Sequence, residues 1–265
     1  MKLLMFIFIV TSVLNANIYY SKVEPYEVRK ISSNVVGTVV TAKEEMIGEK
    51  LSKSIYLEID SQLDRDELKY TQEKLDYLRN TVTINEKILV NLKNSLERKR
   101  ENFDRVKEMK IKSSVEKDRE FYDLVASENS YLATHKEINT LKTQITDLKL
   151  RKAQLLRSIK DKKLSAEGYA LYSIDVKVGQ VVNKSTPLAT VVDTTKAILT
   201  IYLNTEDVLD AKSSVVYIDG VKTAYRVDRL LDIADSKNIS KYKAQIIIAA
   251  PKLFSKLVKV ELKDK

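Results

Sequence analysis

Apolar residues recur every seven positions over two long stretches of the chain, and every second position in short runs on either side. In the first stretch Leu68, Leu75, Val82, Leu89, Leu96 and Phe103 form one series. Leu78, Leu92 and Val106 fill the complementary position, with Asn85 and Lys99 as polar interruptions. In the second stretch Leu124, Tyr131, Ile138 and Ile145 form one series, and Thr134, Leu141, Leu148 and Leu155 the other. Spacings alternating between three and four place such residues in a narrow seam along one helix face, the pattern of a coiled coil. The reading is two arms, about 62–110 and about 114–162, reversing near Ile111-Lys112-Ser113-Ser114. Ser113 or Ser114, followed by the acids Glu116 and Asp118, suits a helix N-cap. At 1.5 Å per residue, arms of ~48 residues make a hairpin of roughly 70 Å. The alternative is one continuous helix pairing with a second chain; equal arms and matched flanks favour the fold-back.

Helix breakers agree with the periodicity. No proline lies between Pro25 and Pro187, and the 119 residues between Gly48 and Gly168 contain no glycine. The flanks repeat each other. Gly37 and Gly48 stand eleven apart before the hairpin, Gly168 and Gly179 eleven apart after it. Each pair is followed by an apolar strand ending in Asp, Tyr56–Asp60 and Leu188–Asp193. Glycine at these turns is expected to supply positive φ. Beyond the repeat, Ile198–Leu203, Val215–Ile218, Gln245–Ala250 and Leu257–Leu262 read as strands, with Asp219-Gly220 as a hairpin turn. Short strands in succession suggest a small β-barrel or sandwich.

The N-terminus adds an address. Lys2, the apolar run Leu3–Val10 and Ala16 fit a secretory signal cleaved after Ala16; an uncleaved anchor is the alternative, although the run is short for a span. Cysteine is absent, which excludes disulfides, thiolate chemistry and lipid attachment at an N-terminal Cys. The net charge of +9 would invite nucleic acid in a cytosolic protein, but export and the interleaving of Lys with Glu and Asp argue for solvated helix faces and no nucleic-acid partner. Nor does catalysis find its residues. His135 is the single histidine and lies mid-arm, no phosphate loop occurs, and the junction Ile59-Asp60-Ser61-Gln62 offers no lysine for a swinging cofactor. The chain is expected to be no enzyme and to carry no cofactor or metal.

A split β-domain with a Gly-x10-Gly pair in each half, a helical hairpin between the halves and a β-region after them resembles the HlyD-type membrane fusion proteins. These are periplasmic adaptor subunits of tripartite efflux pumps and type I secretion systems. The resemblance implies an α+β fold. A long antiparallel α-helical coiled-coil hairpin (62–162) is inserted in a lipoyl-like barrel-sandwich hybrid domain (28–61 and 163–195) and followed by a small β-barrel (196–265), after a signal peptide at 1–16. It implies a periplasmic location, association with an inner-membrane transporter of the resistance-nodulation-division or ABC type, a TolC-like outer-membrane channel at the hairpin tip, and a homo-oligomeric ring. Arg105, Met109 and Ser113 fall where family members carry an Arg, a Leu and a Ser that engage the channel; here Met replaces Leu and the gap before the Ser is shorter. The segment before Val28 is brief for a second membrane-proximal domain. A different function class, a self-associating structural coiled-coil protein of the envelope, shares the seam and needs no pump.

Overall fold

A computed structural model of the chain describes residues 17–234, 238 and 240–263. The expected signal segment lies outside them. In chain order the elements are β1 (Asn17–Ser32), β2 (Gly37–Ala42), β3 (Leu57–Ile59), α1 (Gln62–Glu108), α2 (Ser114–Asp161), β4 (Lys163–Leu164), β5 (Ala170–Ile174), β6 (Val181–Val182) and β7 (Pro187–Leu203). There follow α3 (Thr205–Val208), β8 (Val215–Ile218), β9 (Val221–Lys222), β10 (Arg229–Ala234), β11 (Tyr242–Ala249) and β12 (Leu257–Lys263). The fold is α+β, two long helices joined to two sheets.

Helices α1 and α2 run 47 and 48 residues and fold back on one another. Helix α1 stops at Glu108, so no continuous rod passes the reversal. Every residue of the four heptad series is buried or half-buried. Leu75, Val82, Ile138 and Ile145 form the centre, with Leu78, Leu89, Leu141 and Leu148 packed against them. Asn85 is buried in this seam, and its side-chain nitrogen finds no partner among the described residues. A polar residue at such a position weakens the seam but penalises other registers. Exposed ion pairs bridge the arms at Arg151–Glu67 (2.6 Å) and Lys142–Glu86 (2.9 Å). Each contributes about 1 kcal/mol at most, so they fix alignment more than stability.

The base of the hairpin is clamped. Asp64 accepts from Ser158 at 2.6 Å and pairs with the buried Lys162 at 3.0 Å, while the carbonyl of Lys162 accepts from the Ile59 N–H at 2.8 Å. Burial alone would raise the Asp64 carboxyl; the hydrogen bonds from Ser158 and Lys162 together hold it below its ordinary value.

Below the clamp, residues from both sides of the hairpin share one core. Val39, Leu51, Tyr56, Leu57 and Ile59 pack with Leu171, Val176, Val182, Leu188 and Val191. Two matching pairs of hydrogen bonds stitch the halves. Gly179 donates to Val39 (2.8 Å) and Val39 to Gln180 (2.9 Å); Gly48 donates to Leu171 (2.8 Å) and Leu171 to Glu49 (3.0 Å). Gly48 therefore corresponds to Gly179, and Val39 to Leu171. This register makes Tyr169, not Gly168, the counterpart of Gly37. The expectation of a left-handed turn at all four glycines is corrected accordingly. Gly48, Gly168 and Gly179 have φ of +91°, +87° and +86°, whereas Gly37 is not among the positive-φ residues and opens β2. What Gly37 provides is room: a Cβ there would stand 2.7 Å from Ile59 Cγ2.

The C-terminal strands depart from the expected barrel. No closed barrel forms among the described strands. They join an open sheet in the order β10-β11-β7-β1-β12-β8-β9, with β5 also paired to β7. Strand β1 pairs with β12 over Asn17–Lys22 and with β7 over Val23–Ser32. Strand β7 pairs with β1 and β5 through its first part and with β11 over Lys196–Leu203. Both long strands thus pass from the shared core into a second one, built from Val23, Leu199, Ile201, Val216, Ile246 and Val260. The boundary expected between 195 and 196 falls inside β7, which continues through the polar run Asp193-Thr194-Thr195-Lys196. Between the Pro25↔Ala197 and Glu27↔Asp193 pairs the ladder bulges, with Asp193 accepting from both the N–H and the hydroxyl of Thr195. Asp219 (φ +50°) and Gly220 (φ +80°) form the expected two-residue hairpin turn between β8 and β9.

Candidate functional site

The hairpin carries its last buried seam residue at Val106 and then turns over in five residues. Met109 ends α1 in an extended conformation, its N–H bonded to the Val106 carbonyl. Ser113 caps α2: its hydroxyl accepts from the Glu116 N–H, and the Glu116 carboxylate reaches back to the Ser113 N–H at 3.0 Å, a capping box. Lys117 closes the turn by donating to the Lys107 carbonyl at 2.9 Å. Behind the turn, Phe103 and Phe121 meet across the arms with ring centroids 5.7 Å apart.

The fold brings Arg105, Met109 and Ser113 to this one end, all exposed. Beside them stands a residue the heptad reading did not single out. Ile111 is 99% exposed, with Val115 also exposed nearby. Its signal in the sequence was an apolar residue outside both seam series, held between Lys110 and Lys112 in a loop that the periodicity leaves free. Residues 105–117 contain five bases, Arg105, Lys107, Lys110, Lys112 and Lys117, against the two acids Glu108 and Glu116. The tip is an apolar knob in a basic collar. Such a surface suits a partner that presents an apolar groove rimmed with carboxylates or carbonyls.

The Lys112 ammonium first, then the backbone and hydroxyl of Ser113, hold the Glu116 carboxyl down at about 2 against an ordinary 4.5. A value lowered by folding adds stability that is complete above about pH 4.5 and is lost as pH falls through about 2. Carboxyl titration by NMR is expected to place Glu116 well below the ordinary 4.5, and Ser113→Ala to move it upward. A midpoint near 4.5 in the intact chain contradicts the box.

Elsewhere the chemistry is sparse. His135 is exposed on α2, its ring stacked on Tyr131 at 6.4 Å. Among the described residues no three His, Asp or Glu side chains converge to hold a metal ion. An open cleft of about 640 Å³ at the hairpin base is lined by Asn34, Val36, Asp64, Arg157 and Lys184, with Asp64 committed to the clamp. No helix among the described residues is long and apolar enough to cross a membrane.

Neither a family model nor a curated protein matches the sequence. Solved structures do match. MacA from Actinobacillus actinomycetemcomitans superposes with a TM-score of 0.67 over 95% of this chain and 79% of its own, at 16% identity. A MacA-MexA chimeric protein containing the Pseudomonas aeruginosa MexA α-hairpin domain gives 0.63 over 96% and 82%, at 15% identity. The membrane fusion protein Spr0693 from Streptococcus pneumoniae R6 gives 0.58 over 94% and 99%, at 12% identity. The chain has the membrane fusion protein fold. At these identities the likeness is one of architecture. The membrane fusion fold accounts for the hairpin, for the core shared by its two flanks and for long strands running on into the C-terminal sheet.

Proposed function

We propose that this chain is a periplasmic adaptor, a non-catalytic scaffold linking an inner-membrane efflux transporter to a TolC-like outer-membrane channel. The observation that carries the reading is the knob of Met109, Ile111 and Val115, exposed in a basic collar at the far end of a clamped hairpin. Exposed apolar groups at the end of a rigid arm of roughly 70 Å favour contact with another protein far from the β-body. In this reading the hairpin is a coiled coil, and the two halves that share a core are a lipoyl-like barrel-sandwich hybrid. The N-terminal segment 1–16 directs export. The β-body packs against a transporter of the resistance-nodulation-division or ABC type, and copies surround it in a ring. Arg105 supplies paired hydrogen bonds to channel carbonyls or a carboxylate.

The absence of native cysteine makes the test clean. A single Cys at 109, 111 or 113, alkylated with a thiol-reactive photo-cross-linker, is expected to cross-link to the channel on illumination, and a labelled Cys at the mid-arm position Leu132 not to. Met109→Asp with Ile111→Asp is expected to reduce capture at least tenfold, because each buried apolar side chain contributes ~1.5–3 kcal/mol. Helicity is expected to stay unchanged, since both residues are exposed. Tip cysteines that capture only further copies of this chain support the self-associating envelope protein instead.

A further inference from the structure

A groove of about 590 Å³ follows β1 past the point where the two β cores meet, a size suited to a small molecule. Its floor crosses three strands: Ala170 on β5, Val192 on β7 and Val28 on β1 stand side by side in register. Val28 is 54% exposed in the middle of this ladder, so the floor is apolar and uncovered. Tyr172, 68% exposed, lies toward one end of the groove. Phe254 lies toward the other, held there by backbone hydrogen bonds between Val23 and residues 255 and 256. From Lys22 to Lys30 the groove extends roughly 26 Å at ~3.3 Å per residue. That volume over that length is a narrow channel, which suits one unbranched alkyl chain better than a compact ring system.

Charge gives the occupant a direction. Lys30 stands opposite Thr190 at the Tyr172 end, exposed and without an ion-pair partner among the described residues. At the far end Lys22 and Glu24 line the same face and offset each other. The net positive charge of the lining therefore sits at Lys30. Between the ends the groove passes the bulge near Pro25. Leu171, in its lining, belongs to the core shared by the hairpin flanks, whereas Phe254 packs against the C-terminal core. A single occupant touches both.

We infer that this groove binds a single-chain amphiphile, its anionic head at Lys30 and its alkyl chain over Val28 and Pro25 toward Phe254. The inference goes beyond the adaptor reading and does not rest on it, so the purified full chain is tested without any partner. The sequence has no tryptophan, and Tyr172→Trp places a single fluorophore in the groove. Laurate, added below its micelle concentration, is expected to shift the emission to the blue and to saturate at a single molecule per chain. Tyr77→Trp, on the exposed face of α1, is expected not to respond. In the Tyr172→Trp chain, Val28→Asp is expected to weaken laurate binding at least tenfold and Lys30→Glu at least fivefold. Helicity is expected to stay unchanged, since both side chains are exposed. Dodecyltrimethylammonium, with the same chain and a cationic head, is expected to bind at least tenfold more weakly than laurate. No saturable shift, an equal response from Tyr77→Trp, unchanged affinity in either variant, or equal binding of the cation each overturns the inference.

Discussion

Leu75→Asp is expected to separate the two arms of the hairpin while leaving the β-body folded. Leu75 is fully buried and packs in the cluster of Val82, Ile138 and Ile145. The change removes a buried side chain worth ~1.5–3 kcal/mol and adds a carboxylate whose unpaired burial costs several more, about 5 kcal/mol together. The hairpin spreads the contacts of its seam over many layers, so one layer lost at its centre frays the arms on both sides. Circular dichroism at 222 nm is expected to fall and the thermal transition to broaden. Leu75→Ala is expected to fall between the two proteins, at about 2–5 kcal/mol. Tyr77→Asp, two residues away but exposed, is expected to leave helicity unchanged in dilute protein. Unchanged helicity in Leu75→Asp contradicts the seam.

The second large effect is expected where β2 runs beside its antiparallel neighbour β3. Ile59 is fully buried and its Cγ2 occupies the space where a Cβ of residue 37 would stand, at 2.7 Å. Gly37→Ala is expected to destabilise the β-body by about 1–3 kcal/mol through overpacking. Ile59→Ala is expected to cost about 2–5 kcal/mol through the cavity it leaves. In the double variant the new methyl enters the vacated space, so the combined loss is expected to fall at least ~1 kcal/mol short of the two single losses. Additive losses in denaturant titrations contradict this account and return Gly37 to a backbone role. Because Ile59 also donates to the carbonyl of Lys162, the same variants test how firmly the hairpin is seated.

The hairpin was legible in the sequence because its signal is local. Heptad spacing, the lack of glycine between Gly48 and Gly168, and the Ser113/Glu116 pair each report on neighbours within a few residues, and helix ends obey such neighbours. The reversal fell where Ser113 could cap. The closure of the two flanks onto one core was legible through the repeated apolar runs. Its register was not, because glycine spacing alone cannot distinguish a glycine needed for φ from one needed for space. Gly37 and Gly168 look alike in the sequence; the positive φ of Gly168 and the proximity of Ile59 to Gly37 separate them. The C-terminal sheet was hidden for a different reason. Strand pairing between Asn17–Lys22 and Leu257–Leu262 joins the two ends of the described chain, and no short-range pattern encodes it. The boundary expected between 195 and 196 falls inside β7, because what carries the strand across it is pairing with the distant β1. At the tip, basic charge was readable from composition, while the exposure of Ile111 depended on how the turn closes.

Strands β1 and β7, 16 and 17 residues long, are shared by both β cores. No free swivel therefore separates the clamped foot of the hairpin from the C-terminal sheet. The two strands pair with each other over Val23–Ser32, a shared ladder of roughly 30 Å at ~3.3 Å per residue, and a paired ladder resists bending far better than a loop. Its soft point is the bulge opposite Pro25 and Glu27, where extra β7 residues interrupt the pairing. A displacement imposed on the C-terminal sheet is thus delivered to the tip as a swing about that point, magnified by the length of the arm.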